Sequence, residues 1–132
     1  MLVRFEGGMN RTFCSAFIFG LLALPAGAAP FSENAMSCRA HMLWIAENTQ
    51  NGRVKTAMAR YAHDMAMVAR EQAVSEGRDE PDAYLDRLAV AKDHEWSRRG
   101  VGWVFSADMK DWSKYCSSFA RKMGLDPGSY RP

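Results

Sequence analysis

The stretch from Met109 to Met123 constrains the fold most, because its apolar residues recur with the period of an α-helix. A spacing of i, i+3, i+7, i+10 and i+14 places them on one helical face. They are Met109, Trp112, Cys116, Phe119 and Met123. Ser106 precedes the stretch as a predicted N-cap, and Gly124 follows it, where helices commonly end in left-handed backbone. Such a face must be buried against other elements, and Cys116 lies at its centre.

Three further helices are predicted before this one, at about Ser32–Asn51, Arg53–Glu76 and Pro81–Arg99. Glycines at 52, 77 and 100 follow them, and Pro81 suits the first turn of a helix. The apolar faces are Ala35, Cys38, Met42, Ile45 and Ala46 in the first, Val54, Met58, Tyr61, Met65 and Val68 in the second, and Tyr84, Leu85, Leu88, Ala89 and Trp96 in the third. Short connections favour antiparallel neighbours. The sequence therefore predicts an all-α chain, with one up-down four-helix bundle over residues 29–132.

The N-terminus predicts a secretory signal peptide, residues 1–28. Phe13–Leu24 is an apolar run of twelve residues, preceded by Arg4 and Arg11 and followed by Ala26-Gly27-Ala28. A signal peptidase requires small residues just after the apolar run, and cleavage is predicted after Ala28. The alternative is a retained membrane anchor, but twelve apolar residues fall short of the roughly 20 that span a bilayer. The mature chain is therefore predicted to be periplasmic or secreted, without a stable membrane anchor.

Cys38 and Cys116 are the two cysteines of the predicted mature chain. If the first and fourth helices are antiparallel, the start of the first lies beside the end of the fourth. Cys38 is about 9 Å along the axis from the start of the first helix, and Cys116 is about 10.5 Å from the end of the fourth. The two thiols are then at nearly the same height, and an exported protein meets an oxidising compartment, so a disulfide is predicted. The alternative is a redox-active pair, although such pairs are usually a C-x-x-C turn at a helix N-terminus.

Charge and motifs exclude several function classes. A net charge of +2 without a basic run does not indicate a nucleic-acid partner. The sequence contains no C-x-x-C-H, H-E-x-x-H, G-x-S-x-G, P-loop or dinucleotide glycine motif. Its histidines, at 41, 63 and 94, lie on three different predicted helices. No catalytic residue and no cofactor is therefore predicted, and the protein is expected to be non-enzymatic.

Methionine is unusually frequent and suggests one alternative function. Thioethers are soft ligands suited to Cu(I), and His63 and Met67 lie one helical turn apart, opposite the apolar face of the second helix. A copper site at these two residues would make the protein a periplasmic soft-metal binder. Most of the other methionines fall on predicted core faces, however, where methionine is an adaptable filler. Core packing is the interpretation that the sequence favours.

Aromatic residues in a linker suggest the other candidate site. Trp103, Val104 and Phe105 lie between the third and fourth helices, where hydrophilic residues are expected. One interpretation is that this linker folds over an open end of the bundle. The other is an exposed apolar patch that binds a partner protein, a second copy of the chain or a lipid.

The sequence thus favours an exported helical protein that acts through protein contacts, as a binding, inhibitor or immunity type of module. A copper-binding protein is the first alternative, and an envelope stress or chaperone-like protein is the second. Trp103, Val104 and Phe105 are the predicted interaction residues.

Overall fold

The structure is a computed structural model that describes residues 29–132. This part of the chain forms four α-helices and two short 3₁₀-helices, and it contains no strand. The α-helices are α1 (Phe31–Asn48), α2 (Gly52–Ser75), α3 (Pro81–Ser97) and α4 (Ala107–Lys122), with 3₁₀-helices at Val101–Phe105 and Pro127–Tyr130. The prediction of an all-α fold with four helices is confirmed. The predicted signal peptide lies outside the described residues.

The end of α2, the start of α3 and both ends of α4 follow the sequence signals, whereas α3 ends at Ser97, two residues before the predicted Arg99. The Ser106 Oγ accepts a hydrogen bond from the Met109 N–H at 3.1 Å and caps α4. Gly77 and Gly124, with φ of +74° and +89°, adopt the left-handed backbone that ends α2 and α4. Pro81 is the first residue of α3, where its missing N–H costs no hydrogen bond. These predictions are confirmed.

The junction of α1 and α2 differs from the prediction. Helix α1 ends at Asn48, and Gly52 is the first residue of α2 rather than a stop signal. The reason is the Asn51 side chain, whose Oδ1 accepts hydrogen bonds from the N–H groups of Arg53 at 3.0 Å and Val54 at 3.2 Å. Asparagine is among the strongest N-cap residues, so this cap begins α2 one residue earlier than predicted.

Helix α1 is the central element, because it packs against α2, α3 and α4. Its buried residues lie all round the helix rather than along one face. They include three polar residues, Ser32, Ser37 and His41. Ser32, at which the first helix was predicted to begin, lies inside α1, and its Oγ donates a hydrogen bond to Glu76 Oε2 at 2.6 Å. That bond joins the start of α1 to the end of α2, so the two helices are antiparallel.

Contacts at the two ends of α1 give the directions of α3 and α4. The hydroxyl of Tyr84, near the start of α3, lies 3.3 Å from the Ser32 Oγ, so α1 and α3 are parallel. The rings of Phe31 and Phe119, at the start of α1 and near the end of α4, are 6.1 Å apart, so α1 and α4 are antiparallel. Successive helices therefore alternate in direction.

The C-terminal 3₁₀-helix packs against α2. The Tyr130 ring stacks on Tyr61 with centroids 4.1 Å apart, and its hydroxyl donates to Asp64 Oδ2 at 2.6 Å. The Arg60 guanidinium donates to the Ser129 carbonyl at 2.6 Å. These contacts bury Tyr130 and raise its pKa to about 12, first through burial and then through the adjacent carboxylate. The C-terminus is thereby attached to the bundle.

Cys38 and Cys116 form the predicted disulfide between α1 and α4, with Cα atoms 5.5 Å apart. Both residues are fully buried. The bridge spans 78 positions of sequence, and the chain-entropy model assigns a loop of this length about 4.5 kcal/mol of stabilisation. Among residues 29–132, no helix combines the length and apolar composition that crossing a bilayer requires.

Breaking the bridge should lower the free energy of unfolding by about 2–5 kcal/mol, the usual range for small secreted domains. We expect Cys38→Ala, Cys116→Ala and the double variant to lose similar amounts, because each change removes the same cross-link. Chemical denaturation followed by circular dichroism would measure these losses. The helical spectrum should persist at low temperature, because the apolar faces still bury one another. A loss below about 1 kcal/mol would contradict the structural role assigned to the bridge.

Candidate interaction surface

One end of the molecule is filled by an aromatic cluster, defined as His41, Trp44, Trp96, Trp103 and Trp112. Its members come from α1, α3, the first 3₁₀-helix and α4. Each ring contacts at least one other member with centroids 5.0–5.8 Å apart. The cluster therefore joins three α-helices and the linker at a single site.

Trp103 closes the cluster. Its ring meets those of Trp44 and Trp96 edge to face, at centroid distances of 5.0 and 5.1 Å, and lies 5.8 Å from that of His41. Edge-to-face pairs contribute about 0.5–1.5 kcal/mol each beyond the burial of their area. The indole Nε1 of Trp103 also donates a hydrogen bond to Asp108 Oδ2 at 2.7 Å. The linker thus covers the open end of the bundle with this one side chain.

Backbone hydrogen bonds hold the linker in its 3₁₀ conformation. The Trp103 N–H donates to the Gly100 carbonyl at 2.9 Å. The Trp103 carbonyl accepts from both the N–H and the Oγ of Ser106, at 2.8 and 2.6 Å. Ser106 therefore ends the linker and caps α4 at the same time.

Arg99 lies over the cluster on the α3 side. Its guanidinium carbon is 3.7 Å from the centroid of Trp96 and 5.2 Å from that of Trp103. Its carbonyl accepts a hydrogen bond from the Trp44 Nε1 at 3.4 Å. A cation over aromatic faces is attracted by the ring quadrupoles, by about 0.5–1 kcal/mol at exposed sites and more when desolvated. Arg99 thus connects α1, α3 and the linker.

The outer side of the linker is an apolar surface, which we call the loop face: Val101, Val104 and Phe105. Their exposed fractions are 68%, 37% and 86%. A pocket of about 160 Å³ adjoins the loop face and is lined by Trp44, Ile45, Asn48, Thr49, Val101 and Val104. Val101 and Val104 of the loop face thus form part of the wall of this pocket.

The structure separates the three predicted interaction residues. Trp103 turns its ring into the cluster, whereas Val104 and Phe105 face outward. Val101 was missed by the sequence analysis and belongs with the outward pair. The available signal was its spacing from Val104, because residues i and i+3 share a face in a 3₁₀-helix. That spacing is informative only if the linker is known to be helical.

His41 is the one titratable residue of the cluster, and the sequence did not identify it as part of a site. It is fully buried, and its Nε2 lies 3.1 Å from the Ser113 Oγ. Its Nδ1 has no hydrogen-bond partner within the described residues. Burial, followed by the positive charge of Arg99, lowers the pKa of His41 to about 4, against a smaller raising effect of Asp108. His41 is therefore neutral at pH 7.

The two residues of the copper hypothesis lie on α2, away from the aromatic cluster. His63 and Met67 are both exposed and one helical turn apart. Over residues 29–132, no group of three or more His, Cys, Asp or Glu residues is arranged to hold a metal ion. The pair His63 and Met67 stays a hypothesis based on ligand chemistry alone.

Comparison with known proteins yields no relative of this chain. No family model matches it, and neither a curated protein nor a solved structure matches it.

The buried His41 should make the protein less stable in acid. Its pKa is about 4 in the folded chain against 6.5 for a free histidine. As the pH falls below 6.5, the unfolded chain takes up this proton first, so the free energy of unfolding decreases until the pH reaches about 4. The shift corresponds to a loss of about 3 kcal/mol from this residue.

Urea denaturation at pH values of about 7.5 and about 4 would measure that loss. Between the two pH values, the free energy of unfolding should fall by about 3 kcal/mol less in His41→Phe than in the unmodified protein, because the variant lacks the buried imidazole. The part of the loss that comes from the carboxylates is the same in both proteins. His63→Gln, at an exposed position of α2, is the matched control and should keep the original pH dependence. An unchanged pH dependence in His41→Phe would contradict the assignment.

Proposed function

We propose that the protein is an exported, non-enzymatic binding protein that contacts a partner protein through the loop face. The observation that supports this most directly is Phe105, whose side chain is 86% exposed on a linker anchored by Trp103. Soluble proteins rarely leave a group of large apolar side chains in water unless the group serves an interaction. The proposed surface consists of Val101, Val104 and Phe105.

The rigidity of the linker favours binding. Ordering a flexible loop on association costs about 0.5–1.5 kcal/mol for each immobilised side chain. Here the hydrogen bonds around Trp103 and the edge-to-face contacts of its ring fix the backbone before any partner arrives. Burying Phe105 would contribute about 1.5–3 kcal/mol. The adjoining pocket of about 160 Å³ can accept an apolar side chain of the partner.

Export is part of the proposal. The predicted signal peptide supports it, and so does the buried Cys38–Cys116 bridge, because disulfides persist in oxidising compartments and are rare in the cytosol. The proposed location is the periplasm or the extracellular medium.

A chaperone-like role in the cell envelope is a second candidate, and one observation favours it. The His41 ring meets the Trp103 ring edge to face, with centroids 5.8 Å apart, so protonation of His41 would weaken the packing that supports the loop face. A chaperone would contact many proteins in acid, whereas a specific inhibitor or immunity protein would contact one.

Photo-crosslinking in the native host tests the proposal. A benzophenone amino acid is introduced at position 105 and, as the matched control, at position 90, because Val90 on α3 is also apolar and 73% exposed. We expect light-dependent adducts from position 105 and none from position 90. The mass of each adduct and the peptides it contains identify the partner.

Val104→Asp, added to the position 105 variant, should reduce the adduct, because a charge in the contact opposes desolvation of the patch. A single adduct at neutral pH supports specific binding, and a broad set that forms only in acid favours the chaperone-like role. Equal adducts from positions 90 and 105, or none from either, would contradict the proposed surface. An adduct of twice the mass of the chain would show that the partner is a second copy of this chain.

A further inference from the structure

A second concave surface lies between the start of α1 and the first half of α4, and we call it the α1/α4 groove. Its volume is about 280 Å³, and it is lined by Asn34, Asp108, Asp111, Trp112 and Tyr115. Asp108 and Tyr115 each lie three or four positions from the adjacent pair Asp111 and Trp112, so the four residues follow one side of α4 over two turns. Ligand sites usually begin at about 300 Å³, so the groove suits a small molecule.

Two aromatic rings form the walls of this groove. The rings of Trp112 and Tyr115 meet at 86°, with centroids 5.8 Å apart, and therefore form a corner. Each ring is supported by another, because Trp112 contacts Trp96 at 5.2 Å and Tyr115 stacks on Phe119 at 6.2 Å. Perpendicular aromatic walls attract cations through the negative potential of the ring faces.

Two carboxylates add negative charge to the same groove. Asp108 accepts a hydrogen bond from the Trp103 Nε1 through Oδ2, which leaves its Oδ1 available. Asp111 forms no hydrogen bond or ion pair through its side chain with any residue in the 29–132 range. Neither Lys110 nor Lys114, the nearest basic residues on α4, lines the groove. The groove is therefore complementary to a positive charge.

We propose that the α1/α4 groove binds a small organic cation of the quaternary alkylammonium class. The alkylated nitrogen would lie in the corner of Trp112 and Tyr115, where its methyl groups contact apolar rings and its charge is attracted by Asp108 and Asp111. Asn34, whose Nδ2 donates to the Ala29 carbonyl, lines the α1 side of the groove and offers an amide oxygen as a hydrogen-bond acceptor for a hydroxyl of the ligand. An inorganic cation would keep its hydration shell and gain little from the aromatic walls, and an anion would be repelled.

Choline and its uncharged isostere 3,3-dimethylbutan-1-ol are the probes for this site. The two have the same shape, so a difference in affinity reports the charge. Titration followed by NMR should show saturable binding of choline with shifts centred on the Trp112 indole N–H. We expect the isostere to bind about tenfold more weakly, because it lacks both the cation–π and the Coulomb contribution.

Substitutions in the groove should weaken choline binding while the fold persists. Asp111→Asn preserves shape and removes one charge, and Tyr115→Leu removes one wall. We expect each to raise the dissociation constant about fivefold. Asp79→Asn, an exposed aspartate in the loop between α2 and α3, changes the net charge equally and should leave binding unchanged.

Equal affinities for choline and its isostere, or no saturable binding of choline, would overturn the proposal. So would a loss in Asp79→Asn that matches the loss in Asp111→Asn. A lysine-rich peptide that binds this groove more tightly than choline would show that it takes a protein segment instead of a small molecule. None of these outcomes depends on the loop face, so this proposal and the proposed function can fail separately.

Discussion

Helix α1 is enclosed by the other three helices, and the remaining structure depends on that burial. Cys38 fixes α4 to α1 through the disulfide, and on the following turns His41 and Trp44 carry the α1 part of the aromatic cluster. The same helix therefore sets the position of α4 and forms the base on which the linker packs. Because α1 contributes His41 and Trp44 to the aromatic cluster and Asn34 to the α1/α4 groove, both candidate sites are built on this helix.

The surface that we propose for binding is exposed because Trp103, in the same short helix, is packed into the aromatic cluster. A 3₁₀-helix has about three residues per turn, so turning Trp103 inward leaves Val101, Val104 and Phe105 facing water. The edge-to-face contacts of Trp103 with Trp44 and Trp96 stabilise the conformation in which these side chains are exposed. The α1/α4 groove is connected to the aromatic cluster through two contacts. Trp112 packs on Trp96, and Asp108 accepts the hydrogen bond of the Trp103 indole.

The sequence predicted what depends on local signals and on helical periodicity. It predicted the Ser106 cap, the glycine stops at 77 and 124, and the disulfide from the matched heights of its cysteines. It missed the start of α2, because the Asn51 cap outweighs the glycine that follows. It also missed the cluster around His41 and the α1/α4 groove, since their residues come from elements far apart in the chain. The five-residue 3₁₀-helix is too short to show a period.

The central claim is that Trp103 anchors the linker while Phe105, two residues later, stays free for a partner. The most direct test is the free energy of unfolding of Trp103→Ala and Phe105→Ala, measured by chemical denaturation under the same conditions. The account predicts a loss of about 2–3 kcal/mol for Trp103→Ala, whose ring is half-buried among others. It predicts a change within about 0.5 kcal/mol for the exposed Phe105→Ala. A loss for Phe105→Ala that equals or exceeds the loss for Trp103→Ala would contradict it.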